Sequence, residues 1–205
     1  ENQIIDNENN TFHRLNEKLE LKNISFSYKE KEIIKNSNLE IRKNHSYVLV
    51  GPSGQGKTTL IEILLGLKEM KKGNIFLDNK KVDFVDNYFW RKMFGYVPQD
   101  TYLIDSTIKE NITFAEENNL DKTFMNEIIR MSKLDEFINN LTNGIESTTG
   151  SLGKFISRGQ KQRIGLARAL YSKPDILVMD EPTSSLNFEL AVSIIQELKK
   201  IDKTL

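Results

Sequence analysis

The octapeptide GPSGQGKT at residues 51–58 constrains this chain more than any other feature. It satisfies the spacing G-x-x-x-x-G-K-[ST]. It stands between a short apolar run, SYVLV at 46–50, and an apolar helical stretch over 60–67. A strand, a glycine-rich turn and a helix are the context in which this spacing has chemical meaning. Glycines allow successive backbone N–H groups to point into one cradle, and the helix that follows adds its positive end, so the loop is suited to phosphate. In this reading Gly51, Ser53, Gly54, Gln55, Gly56 and Thr59 line the loop. Lys57 reaches the β- and γ-phosphates of a nucleotide, and Thr58 offers its hydroxyl to Mg²⁺.

A second acidic site narrows the chemistry. Residues 176–181 read ILVMDE, an apolar strand ending in two adjacent carboxylates. Neighbouring residues at a strand end point in opposite directions, so the pair can divide its work. Asp180 would hold Mg²⁺ through its water shell while Glu181 polarises the attacking water. An acidic pair that merely ends a strand before Pro182 is the plainer alternative.

The remaining pattern predicts an α/β chain. A strand over 19–28 changes phase midway: Leu19 and Leu21 share one parity, and Ile24, Phe26 and Tyr28 the other, which calls for a bulge near Asn23. The charged turn KEKE at 29–32 leads to a second strand, and Asp78–Asn79 turns a hairpin between 74–77 and 81–85. The runs SYVLV and ILVM read as buried parallel strands. From residue 121 the pattern is mostly helical, with Phe124, Ile128 and Met131 on one face; a final helix turns Leu190, Ile194, Ile195 and Leu198 inward. Parallel-type strands before and after a helical stretch indicate the α/β class.

Residues 156–163 read ISRGQKQR and open the helix that continues IGLARALY. Ser157 and Gln160 have the S-x-x-Q spacing of a capping box. A helix start bearing a hydroxyl and the small Gly159 is equally an anion site. Arg158 at the positive end of that helix is unfavourable unless an anion arrives.

GPSGQGKTT, then YVPQD at 96–100, ISRGQKQR and ILVMDEPTSSLN together resemble an ATP-binding cassette of the ABC transporter family, in order and separation, across nearly the whole chain from residue 19 onward. The stretches YVPQDTYLIDSTIKENITF and QRIGLARALY are similar to the exporter type, with some likeness to lipid and lipid-linked oligosaccharide flippases. The resemblance implies a P-loop NTPase fold of ABC type: a mixed sheet core, an antiparallel β subdomain and a helical subdomain over about 100–170. It implies ATP and Mg²⁺ as cofactors and ATP hydrolysis as the activity. Tyr28 would stack on adenine, though it also reads as a core aromatic. Gln99 would touch Mg²⁺ and the attacking water. Ser157, Gly159 and Gln160 would meet the γ-phosphate held by a second cassette, identical or different, packed head to tail. A transmembrane domain in the same polypeptide would place the cassette at the cytoplasmic face of a membrane.

Three positions depart from the family pattern. Arg158 stands where the family has glycine, Asn187 where it normally has aspartate, and Ser151 where exporters often carry glutamate. Asn187 also reads as the N-cap of the last helix. Neither His13 nor His45 is placed to be the family's switch histidine, which would follow a pair like Lys203–Thr204.

The 205 residues hold 29 basic and 29 acidic side chains and no cysteine. Charge balance argues against a nucleic-acid partner held by bulk phosphate neutralisation. Disulfides, thiolate zinc sites and thiol nucleophiles are excluded. No apolar run reaches the roughly 18 residues that would cross a bilayer. Residues 1–16 are mostly polar and read as a linker ahead of a domain over 17–205, and the two ends together predict a piece of a longer protein, cut before the switch-histidine strand. Two other functions fit the same residues: a nucleotide-gated dimerisation switch with weak hydrolysis, and a soluble ABC ATPase.

Overall fold

A computed structural model describes residues 14–82, 88–114, 121–181, 186–201 and 204–205. Those residues fall into two units, one drawn from the chain up to 43 and from 47 to 93, the other from 44–46 and from 94 onward.

Antiparallel pairing builds the first unit. β1 (Lys18–Tyr28) pairs with β2 (Lys31–Arg42) and with β3 (Lys72–Leu77), and β3 pairs with β4 (Lys80–Val82), in the order β2-β1-β3-β4. The expected bulge lies at Asn23: its φ is 54°, and the ladder to β2 jumps from Leu21 to Ile24. The jump reconciles the two parities, because Leu19, Leu21, Ile24 and Phe26 are all buried. Asp78 and Asn79 turn the β3–β4 hairpin with φ of 49° and 65°, the left-handed pair that a two-residue type I′ turn demands. The Asp78 carboxylate accepts four hydrogen bonds, from the backbone N–H groups of Asn16, Glu17 and Lys18 and from the Asn16 amide, at 2.7–3.0 Å. Of the expected second hairpin strand, residues 83–85 lie outside the described residues.

α1 (Lys57–Leu64) starts inside the glycine-rich loop and stops short of the expected residue 67. The fully buried Trp90, in α2 (Tyr88–Lys92), donates its indole N–H to the Leu64 carbonyl at 2.9 Å and so satisfies one of the free acceptors at the end of α1.

The second unit packs helices on a parallel pair. β5 (Phe94–Val97) and β6 (Ile176–Met179) run in register from Phe94 opposite Ile176 to Val97 opposite Met179, and Thr204 bridges Ile176. Around them lie α3 (Ile108–Thr113), α4 (Lys122–Met131), α5 (Asp135–Asn139), α6 (Arg158–Tyr171) and α7 (Phe188–Leu198), sharing a core that includes Leu103, Ile108, Leu134, Ile164 and Leu177. Arg168 on α6 donates to the carbonyls of Asn111 and Tyr102 and to the Asn111 side chain at 2.7–3.3 Å, and it lies 4.8 Å from the centre of the Phe114 ring. Burial pushes its pKa below the ordinary arginine value.

Three expectations are corrected. Residues 46–50 form no ladder with any described strand, and Val48 and Val50 are 85% and 84% exposed. Apolar composition marks strand tendency, but a strand exists only where neighbours supply hydrogen-bond partners, and β6 engages β5 along one edge and Thr204 along the other. In α4 the buried face is Met125, Ile128, Ile129 and Met131, with Phe124 only half-buried beside the Tyr171 ring at 6.0 Å. In α7 Ala191 joins Ile194 and Leu198 inside while Ile195 is exposed. Both stripes rotate because the neighbouring helices, not the helix itself, decide which face is covered.

Candidate functional site

The phosphate loop lies wholly in the first unit. Gly54 and Gly56 adopt φ of 80° and 89°, which only glycine takes without strain. At Gly56 a side chain is excluded twice, since a Cβ would lie 2.7 Å from the Ile33 side chain on β2. Ser53, Gly54, Gln55 and Thr58 are exposed, Gly51 and Lys57 half-buried, and Thr59 buried. The Lys57 ammonium curls back over the loop to the carbonyls of Gly51 and Pro52, at 2.6 and 2.9 Å.

α1 differs from the other long helices in how it begins. α4, α6 and α7 are capped by the side chains of Asp121, Ser157 and Asn187. α1 begins at Gly56 with no side-chain cap and no acid in its first turn. Lys57 stands at the first position of this helix, where the backbone dipole favours an anion. This donor set fits a nucleotide's phosphates.

Tyr28 at the end of β1 is 45% exposed. Its ring stands edge-on to Phe26, with centroids 4.9 Å apart at 86°. The Lys68 ammonium contacts the Tyr28 hydroxyl, lies 4.5 Å from the ring centre and forms a 2.7 Å ion pair with Glu62. Hydrogen bonds from Lys68 and then from Thr59 hold the Tyr28 phenol below its ordinary pKa, and Glu62 raises that of Lys68. Tyr28 is thus a tethered surface aromatic, joined to the helix that starts in the phosphate loop. Sequence reasoning missed Lys68 and Glu62, because no local pattern connects them to a tyrosine some forty positions away.

The other candidates lie in the second unit. Gln99, just past β5, and Glu181, just past β6, come together: the Gln99 Nε2 donates to Glu181 Oε2 at 2.7 Å. Glu181 has φ 48°, an uncommon conformation for a residue with a side chain. Asp180 is half-buried, and its N–H donates to the Val97 carbonyl at 2.9 Å, which continues the β5–β6 pairing. Among the described residues no group of three or more His, Asp and Glu side chains converges. Within this unit the Gln99 and Asp180 side chains offer hard oxygens of the kind that suits magnesium.

The start of α6 bears out the capping-box reading. Ser157 Oγ accepts from the Gln160 N–H at 3.3 Å, and Gln160 Oε1 accepts from the Ser157 N–H at 2.8 Å, completing the capping box. A hydroxyl that accepts still has its own proton to donate, so capping leaves Ser157 able to meet an anion. Arg158, at the first helical position, forms a 2.9 Å ion pair with Asp100, the residue after Gln99. Asn187 caps α7, its Oδ1 accepting from the Leu190 N–H at 2.8 Å. Ser151, itself exposed, opens a 3-10 turn, Ser151–Gly153. Residues 182–185, which follow Glu181, lie outside the described residues. Gln162 was also missed; its signal is a lone amide on the buried stripe of α6 shared with Leu166, Ala169 and Leu170.

A loop made for phosphate, a paired glutamine and glutamate at strand ends, and a capped glycine-containing helix start define a nucleotide-binding domain of the P-loop class. The ABC transporter family matches residues 34–184, and the chain belongs to that family as its nucleotide-binding domain. It is 38% identical over 201 residues to an export ATP-binding/permease protein of Rickettsia prowazekii, which covers 95% of this chain and 35% of that one. It is 35% identical over 190 residues to an ATP-dependent lipid A-core flippase of Syntrophus aciditrophicus, at 93% and 31% coverage. A bacterial Atm1-family ABC exporter solved with ATP bound superposes with a TM-score of 0.85 at 28% identity, covering 92% of this chain and 34% of that one. The chain spans about a third of the length of these relatives. Among the described residues no helix is long and apolar enough to cross a membrane.

Proposed function

We propose that this chain is the ATP-hydrolysing motor domain of an ABC exporter, covering 17–205 after a polar lead at 1–16, with its helical part over about 100–170. Lys57 and the N–H groups of the phosphate loop bind the β- and γ-phosphates, and Tyr28 stacks on adenine. Bound Mg²⁺ supplies charge neutralisation at the phosphates; Thr58, Gln99 and Asp180 would hold it. Glu181 takes a proton from the attacking water, with Gln99 holding its carboxylate in place. Ser157, Gly159 and Gln160 serve the nucleotide of a second cassette, identical or different, so that ATP drives two cassettes together at the cytoplasmic face of a membrane beneath a transmembrane domain of the same polypeptide. Closure then draws only on the extra affinity of the paired state for ATP.

The observation that carries hydrolysis over a binding-only switch is the 2.7 Å contact between Gln99 and Glu181, which keeps a carboxylate oriented at a strand end. Two variants of the full-length protein test the reading. Lys57→Ala should abolish ATP binding, and unchanged affinity would sink the phosphate-loop assignment. Glu181→Gln should bind ATP, stay paired and stop turning over; rapid turnover in that variant would remove Glu181 as the base.

A further inference from the structure

Gln162 lies on α6, five positions after the cap residue Ser157, and is 3% exposed. Its Nε2 donates to the backbone carbonyl of Glu181 at 3.2 Å. Its Oε1 has no hydrogen-bond partner among the described residues. A carbonyl can only accept, so the amide must turn its NH₂ toward Glu181 and leave its oxygen among apolar neighbours. Those neighbours include Val97, Leu166, Met179 and Ile194. A hydrocarbon side chain of equal length would suit the hollow better, because an unpaired buried amide oxygen is destabilising. Among the described residues, the one hydrogen bond that the Gln162 side chain makes is the one to Glu181.

Glu181 needs such a contact. Its φ of 48° persists only if the surroundings hold it there. Gln99 secures the carboxylate at 2.7 Å and Gln162 secures the carbonyl at 3.2 Å, so the residue is fixed at both ends. We propose that Gln162 is a positioning residue for Glu181: it holds the strained backbone that aims the carboxylate, from the same helix whose first turn carries Ser157, Gly159 and Gln160. The inference rests on the reading of Glu181 as the base. A shift at the start of α6 is then transmitted through one rigid helix to the carboxylate in the same chain.

Gln162→Met in the full-length protein is the test. Methionine keeps the length, fills the hollow, and removes both the donor and the partnerless oxygen. Misplacement of a reacting group costs roughly 10- to 100-fold, so kcat for ATP should fall by that factor. KM for ATP should hold, and Tm should stay or rise. Glu181→Gln is measured alongside. Unchanged kcat in Gln162→Met, with turnover abolished in Glu181→Gln, overturns the role of Gln162 and leaves the base in place. A loss of kcat that follows a drop in Tm overturns it too, since Gln162 would then be only a packing residue. Turnover surviving in Glu181→Gln removes the base itself, and with it the residue through which Gln162 acts.

Discussion

Gly165→Ala should destabilise the protein, against the ordinary preference of helices for alanine. Gly165 is buried in the interior of α6, where exchanging glycine for alanine in an open helix gains about 1 kcal/mol. Here the new Cβ would stand 2.5 Å from Thr101 Oγ1, 2.7 Å from Thr101 Cγ2 and 3.2 Å from Thr101 Cβ. Threonine is stiff at χ1, and rotating it only exchanges one clashing branch for the other. Overpacking of this kind costs about 1–3 kcal/mol, so the net effect should be a loss of about 1 kcal/mol. Thr101→Ala removes both branches, and its hydroxyl has no partner among the described residues, so alone it should change little. The double variant should regain the helix preference, giving a coupling energy of about 1–2 kcal/mol, well beyond the roughly 0.5 kcal/mol scatter of independent sites. Urea unfolding followed at 222 nm is the assay, because helices dominate that signal and the sole tryptophan, Trp90, lies in the other unit. Gly165→Ala alone gaining stability, or additive single effects, would refute the close approach. Thr101 follows Gln99 by two positions, so the same single variant should also slow ATP turnover, and Thr101→Ala should restore it.

Arg158→Gly removes an ion pair to Asp100 whose side chains are 61% and 81% exposed, a contact worth about 0–1 kcal/mol. Stability should therefore move by less than about 1 kcal/mol, and ATP turnover should be preserved or raised; a large loss in a turnover assay would show that the guanidinium engages phosphate. Asp78→Asn should lower stability near neutral pH by about 1–3 kcal/mol, because the new NH₂ faces two N–H donors. Burial pushes the Asp78 carboxyl up, but the N–H donors of Glu17, Lys18 and Asn16 outweigh it and hold it below the ordinary value. That contribution is complete above the unfolded pKa near about 4 and disappears as pH falls through the folded one. Melting curves of the two proteins should therefore converge in acid, and a gap that persists there would refute the assignment.

The parts of the site legible in the sequence are those built from one stretch of chain. Gly54, Gly56 and Lys57 form a loop whose shape follows from glycine's freedom and the helix that succeeds it. Ser157 with Gln160, Asn187 alone, the Asp78–Asn79 turn and the bulge at Asn23 are equally local: each residue satisfies or redirects backbone groups within three or four positions of itself. Contacts across long loops were not legible. Gln99 meets Glu181 across 82 positions, Arg158 meets Asp100 across 58, and Lys68 meets Tyr28 across 40.

Sequence alone determined the glycine turn at residues 51–58 that starts α1 and the two acids that follow β6, because backbone conformation and side-chain chemistry are carried in adjacent residues. Tertiary structure decided which apolar faces are covered, left 46–50 outside any described ladder, and put an amide from α6 behind Glu181. Burial and hydrogen-bond partnership belong to pairs of segments, and the free energy that selects a pair is gained only once both are in place.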